Sequence, residues 1–304
     1  MRIGFVGLGM MGLPMLENLA RAPGFEIRAL DREEAPFRRL AGHPAWGRGL
    51  SRAADPAALA DCDLVITMLP NSPITNAVIR GAPGQPGLAQ VLRPGAVVID
   101  MGSSNPADTI ALAAELAERG IALVDAPVSG AVAKAETGDL SIMVGTDAAG
   151  LAPLRPLLSA MGKVLIPAGQ TGAAHAMKAL NNYVYAAGLL AASEALGIAQ
   201  AMGLDLAVFA DVLNAASGRN VATETKVKQF ILPGSYAGGF ALRLQAKDLA
   251  TADALQALTG FAAPQLSLCA ALWQEAAAAL PPAADNTEIH RYIARRPQAG
   301  TTGN

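Results

Sequence analysis

Short apolar runs punctuate the first half of the chain, at 3–6, 26–30, 63–68, 96–99, 121–124, 140–144 and 164–166, several of them rich in Val and Ile. Several lack the polar alternation of a half-exposed strand, the pattern of strands buried on both faces of a parallel sheet. Segments of helical period lie between them, such as 11–21 and 107–119. Alternating strand and helix predicts an α/β, doubly wound, Rossmann-type domain over residues 1–166. Beyond 166 the strand-like runs stop. Long Ala- and Leu-rich helical stretches follow at 172–203, 205–216, 240–259 and 262–279, separated by breakers at Gly203, Ser217-Gly218, Pro233-Gly234 and Pro281-Pro282. This half predicts an all-α C-terminal domain over 167–296, with a frayed tail at 297–304.

A length of 304 residues suits two domains. The net charge of −2 lacks the basic field that non-specific nucleic-acid binding needs, so no nucleic-acid partner is expected. Aromatics are only 4%, and Ala and Gly fill much of the apolar quota, which points to closely packed helices and to turns that approach a ligand. Cys62 and Cys269 are far apart and form no CxxC pair, so the expectation is two buried thiols in a reducing, cytoplasmic compartment. His43, His175 and His290 are too scattered for a recognisable metal site. The apolar N-terminus with Ala20-Arg21-Ala22 mimics a secretory signal, but its glycine pattern and the low cysteine use argue against export. No segment offers about 18 uninterrupted apolar residues, and the longest candidate, 183–193, stops at Glu194, so no membrane span is expected.

The first strand runs straight into Gly7-Leu8-Gly9-Met10-Met11-Gly12, which opens a helix. In that context GxGxxG has physical meaning. Gly7 permits the tight turn, Gly9 lets the backbone approach a pyrophosphate, and Gly12 lets the helix pack on the strand, so phosphates sit at the positive helix N-terminus. Asp31 ends the second predicted strand about 20 residues further on. A carboxylate there accepts from the adenosine ribose and disfavours a 2′-phosphate. Arg32 beside it pulls the other way. The placement of Asp31 favours NAD, with NADP possible.

At this point the chain resembles the β-hydroxyacid dehydrogenases: 3-hydroxyisobutyrate dehydrogenase, tartronate semialdehyde reductase, L-threonate dehydrogenase and relatives. The start GFVGLGMMGLPM carries the likeness, and three further blocks agree in order. Asp125-Ala126-Pro127-Val128-Ser129-Gly130 is similar to the family's substrate-binding segment, and the likeness continues through 138–144. GAAHAMKALNN at 172–182 resembles the block holding the catalytic lysine, and FALRLQAKDL at 240–249 the late lysine block.

The resemblance implies that Lys178 is the catalytic acid/base and that Asn182 orients the substrate or the lysine. Standing four apart on a predicted helix, the two project from one face. Apolar neighbours of Lys178 disfavour its charge and bring it towards proton transfer at neutral pH. The resemblance also implies that Ser129 and Gly130 grip the substrate carboxylate, that Ser103 lies near nicotinamide and substrate, and that Leu69-Pro70 lines the cofactor. It brings Lys247 to both cofactor and substrate. Ala131 departs from the glycine frequent at its place. Ser104 or Asn105 is also read as a helix N-cap before Pro106, and His175 as a packing or surface residue. The expected activity is NAD(P)-dependent interconversion of a small 3-hydroxy acid and its semialdehyde or keto form, without a metal, in a homodimer or homotetramer. The rivals are an imine or other small-carbonyl reductase on the same scaffold, whose lysine position usually differs, and a non-catalytic dinucleotide sensor.

Overall fold

The computed structural model describes residues 1–295, so the tail expected to fray at 297–304 lies outside the described residues. The chain divides into two compact units, Met1–Lys178 and the residues from Ala179 onward.

In the first unit, six strands form a parallel sheet: β1 (Arg2–Val6), β2 (Glu26–Leu30), β3 (Leu50–Arg52), β4 (Leu64–Thr67), β5 (Val97–Asp100) and β6 (Ala122–Asp125). Their order is 3-2-1-4-5-6, the doubly wound dinucleotide-binding order. The continuous apolar runs become strands covered on both faces, as in β4, where every residue is buried. Helix α1 (Gly12–Leu19) sets Met15, Leu16 and Leu19 into a core with Ile3, Phe5, Ile66 and Ile99. Burying each of these large side chains contributes about 1.5–3 kcal/mol. The register pairs Asp100 of β5 with Asp125 of β6, so two carboxylates end adjacent strands.

Residues beyond β6 form a smaller sheet. In it β8 (Leu140–Val144) pairs in parallel with β9 (Gly162–Pro167) and antiparallel with β7 (Val128–Ser129). The expected domain end at 166 falls within β9. The division between compact units falls later, inside the long helix that follows.

That second unit is helical. Its elements, after α2 (Ala35–Leu40), α3 (Ser72–Arg80), α4 (Pro106–Ala117), α5 (Ala131–Thr137) and α6 (Ala148–Leu158) of the first unit, are α7 (Ala173–Ala201), α8 (Leu206–Ala215), α9 (Leu242–Thr259), α10 (Pro264–Ala279) and α11 (Ile289–Arg295). A π-helical stretch, Thr223–Ile231, fills a region to which sequence pattern assigns no element. Trp273, Leu189, Leu196, Leu249 and Ile289 centre the core. By length and composition α7 is apolar enough to cross a membrane, contrary to the expectation from uninterrupted runs. Its Ala186, Leu189 and Leu196 are fully buried in the helical core, the arrangement of a core helix.

Candidate active site

Loops following β1, β4 and β5 meet at the carboxyl edge of the parallel sheet, where open α/β sheets bind ligands. Their contact is between backbones. A Cβ on Gly7 (φ +98°) would lie 2.4 Å from Met68 O, and one on Gly12 would lie 1.9 Å from Gly7 O. Glycine is required there by the protein's own packing. Gly9 is different, because a Cβ there would meet nothing within 4 Å. Its bare backbone faces open space, as a cradle for a pyrophosphate requires.

The start of α1 supports the same fit. Its N-terminus has no side-chain cap and no acidic residue in its first turn, whereas Asn71, Asn105, Asp147 and Asp205 cap α3, α4, α6 and α8. First-turn N–H groups left uncapped suit an anionic ligand. Within the glycine segment Leu8 is buried and Met10 is exposed, while Met11 is half-buried. The loop therefore offers its backbone and not the Leu8 side chain.

Asp31 does more than end β2. Its Oδ2 accepts from Leu8 N at 2.6 Å and its Oδ1 from Glu33 N at 2.8 Å, so the carboxylate staples the glycine loop to the β2 edge. Arg32 extends into solvent with its side chain 90% exposed, 3.5 Å from Glu33. Leu69 and Pro70 follow β4, and a Cβ on Gly102 would lie 2.7 Å from Leu69 O, so the Leu69-Pro70 and Gly102-Ser103 loops abut. Asn105 is the α4 cap, accepting from Ala107 N, while Ser104 Oγ donates to Asp100 Oδ2 at 2.5 Å.

Ser129 lies on β7 opposite Ser141, and Gly130 (φ +138°) is the residue before α5. Ala131 adopts φ +57°, a left-handed conformation that alanine disfavours and glycine adopts freely. The departure from glycine at that place thus appears as local strain.

Lys178 is half-buried on α7, one helical turn before Asn182. His175, one turn earlier still, is fully buried and bonds through Nε2 to Gly102 O at 3.2 Å, consistent with a packing role. In the second unit Asn182 Nδ2 donates to Asp248 Oδ2 at 2.5 Å, and Asp248 Oδ1 lies 3.0 Å from Lys247 Nζ. Asp248 was not singled out from sequence. The pair with Lys247 reads as an exposed salt bridge, yet Asp248 is buried and joins the two expected site residues. Gln245 was missed as well; its Nε2 donates to Asn182 O at 3.1 Å.

Comparison with known proteins shows what the chain resembles. Residues 2–172 match the family model of the NAD binding domain of 6-phosphogluconate dehydrogenase. Residues 172–293 match that described as NAD-binding of NADP-dependent 3-hydroxyisobutyrate dehydrogenase. A 2-(hydroxymethyl)glutarate dehydrogenase from Eubacterium barkeri is 39% identical over 251 residues, covering 83% of this chain and 81% of that protein. The solved structure of a Mycobacterium tuberculosis 3-hydroxyisobutyrate dehydrogenase with L-serine has a TM-score of 0.85 at 31% identity, covering 96% of this chain and 98% of that one. A Streptomyces aurantiacus imine reductase shares the fold alone, with a TM-score of 0.59 at 21% identity over 96% of this chain and 99% of that one. A 3-2-1-4-5-6 sheet with a glycine cradle, followed by a helical unit and matched along nearly its whole length, makes this chain a member of the β-hydroxyacid dehydrogenase family, the NAD(P)-dependent oxidoreductases that act on the CH–OH group of hydroxy acids.

Proposed function

We propose that the chain interconverts a small 3-hydroxy acid and its semialdehyde or keto form, with Lys178 as general acid/base and NAD as the preferred cofactor. The observation that carries this reading is the anchorage of the Lys178 helix. His175, one turn before the lysine, bonds to the backbone beside Ser103 at the carboxyl edge of the sheet. The dinucleotide, when bound, supplies hydride acceptance and return at its nicotinamide ring.

Each protein group then has a physical task. Ser129 Oγ and the Gly130 N–H hold the substrate carboxylate, and Ser103 orients the hydroxyl-bearing end. Lys178 Nζ takes the hydroxyl proton as the carbonyl forms, and in reverse its ammonium returns that proton to the developing alkoxide. Asn182 orients the substrate by its amide, and Lys247 adds positive charge beside it. Leu69, Pro70 and the segment Gly7 to Gly12 hold the cofactor by apolar and backbone contact. Asp31 favours NAD because its carboxylate repels a 2′-phosphate.

We also propose a homo-oligomer, dimeric or tetrameric, in a reducing cytoplasmic setting. Val184 and Ile198 on α7 and Val208 and Val212 on α8 are exposed apolar side chains that favour subunit association. Cys62 and Cys269 are buried free thiols whose burial pushes each up to about 11. Light scattering after size exclusion measures the oligomer directly.

Initial rates with 3-hydroxyisobutyrate, glycerate and threonate, each with NAD and NADP, test the activity. Lys178→Ala should lower kcat by about 10²–10⁴-fold on the best substrate. Retained turnover in Lys178→Ala would remove the lysine from the chemistry. Tight NADH binding with no turnover across the panel would favour the sensor reading.

A further inference from the structure

The first turn of α7 is held by groups to which the proposed mechanism gives no role. Asp125, at the carboxyl end of β6, has no solvent exposure. Its Oδ1 accepts from Gly172 N at 2.8 Å and its Oδ2 from His175 N at 2.9 Å. First-turn N–H groups have no partner within a helix, and a carboxylate at that end also meets the positive pole of the helix dipole. Space for the carboxylate is built in, because a Cβ on Gly145 would lie 1.8 Å from Asp125 Oδ1.

His175 completes the anchorage from its side chain. Nδ1 lies 2.9 Å from Thr109 Oγ1 on α4, and Nε2 lies 3.2 Å from Gly102 O. A carbonyl only accepts, so Nε2 carries a hydrogen in this bond. The same ring nitrogens lie 3.8 Å from Asp100 Oδ2 and 3.9 Å from Asp125 Oδ2. Asp100 is itself committed, accepting from Thr67 Oγ1, Gly102 N and Ser104 Oγ. The carboxyl ends of β5 and β6, the Gly102-Ser103-Ser104 loop, α4 and the start of α7 therefore share one buried polar network. Such networks rigidify what they join when every member is satisfied.

We infer that Asp125 and His175 are positioning residues for Lys178. The Asp125 carboxylate fixes how far α7 reaches along its axis. The His175 ring, wedged between Gly102 and Thr109, fixes its rotation. Lys178, one turn on, is thereby held in a set place relative to the Ser103 loop. The inference rests on the assignment of Lys178 as acid/base above, and it adds two residues that act only through that lysine.

The test uses the full chain in three variants, Asp125→Asn, Thr109→Val and Lys178→Ala. Asparagine keeps the shape but turns an N–H donor towards an N–H donor. Valine removes the partner of His175 Nδ1 at nearly constant volume, and it decides the matter should Asp125→Asn not fold. A misplacement of about 1 Å costs on the order of 100-fold in rate, so kcat should fall roughly 10- to 100-fold in Asp125→Asn and roughly 3- to 10-fold in Thr109→Val. The substrate KM and the NADH dissociation constant, read by fluorescence, should stay within about twofold, because Lys178 and not the binding surface is displaced. The isotope effect on kcat with substrate deuterated at the reacting carbon should rise. Amide exchange at Gly172 and His175 should quicken in both variants. An unchanged kcat in the folded variants overturns the inference, as does a kcat loss matched by equal weakening of NADH binding. If Lys178→Ala is inactive while the other two match wild type, only the positioning role falls. If Lys178→Ala is fully active, the acid/base assignment falls first.

Discussion

Asn182 donates from Nδ2 to Asp248 Oδ2 at 2.5 Å, and the opposite oxygen of that carboxylate lies 3.0 Å from Lys247 Nζ. Asp248 and Asn182 are both more than nine-tenths buried. One carboxylate thus sets the direction of an amide and of an ammonium that the family resemblance assigns to the site. Buried polar groups held this way are costly to separate, since each loses a partner that water does not replace.

Asn182→Ala and Asp248→Ala, made singly and together, should therefore couple. The expected interaction in kcat/KM is about 1 kcal/mol or more, with each single change lowering the parameter about tenfold. A double-mutant cycle on the best substrate measures it. Strictly additive losses would show that the Asn182–Asp248 bond plays no part in turnover.

The last two glycines of the motif should separate folding from binding. Gly12→Ala drives a methyl group to 1.9 Å from Gly7 O and should cost about 3 kcal/mol or more of stability by urea unfolding. Gly9→Ala meets no protein atom and should leave stability unchanged or slightly raised. Its methyl enters the pyrophosphate cradle, so NADH affinity should drop about tenfold or more, as for about 1–3 kcal/mol of overpacking. Equal NADH affinity in Gly9→Ala and wild type would dissociate the motif from the cofactor.

Ala131 holds φ +57° directly after Gly130. Glycine adopts that conformation without a Cβ clash, so Ala131→Gly should stabilise the first unit by about 0.5–1 kcal/mol. A higher midpoint in chemical denaturation, with an unchanged slope, is the expected record. A lower midpoint would mean that the left-handed conformation carries no strain.

His290 is partly enclosed, with its Nδ1 3.0 Å from the Tyr236 hydroxyl. Burial first, and the neighbouring Arg291 charge second, hold its imidazole below the ordinary value of 6.5. The folded chain therefore binds that proton less readily than the unfolded chain. The stability His290 contributes is complete above pH 6.5 and is lost as pH falls through 6.5 towards the depressed native value. Unfolding free energy should decline over that window, and His290→Gln should flatten the decline. Parallel slopes in wild type and variant would assign the pH dependence to other groups.

Much of this protein was legible without coordinates because its information is local. The Val- and Ile-rich runs within 63–68 and 96–99 have only one comfortable home, a strand covered on both faces. The GxGxxG turn and the lysine and serine blocks are contiguous, so their residue types and spacings name the chemistry before any packing is known. Three-residue β3 and proline-containing α6 were not legible, since neither has a period long or clean enough to read. The π-helical stretch 223–231 depends on its packing in the helical core through Val227 and Ile231.

What only the tertiary structure decided is which polar groups became buried together. Asp125 ends a strand 50 residues before His175 and reads as a turn residue, yet the sheet register and α7 bring it to that backbone N–H. Asp248 reads as half of a surface pair until Asn182, on another helix, covers it. Sequence fixes a residue's chemistry and its local period. The free energy of a buried carboxylate depends on donors from distant segments, and only the folded chain supplies those.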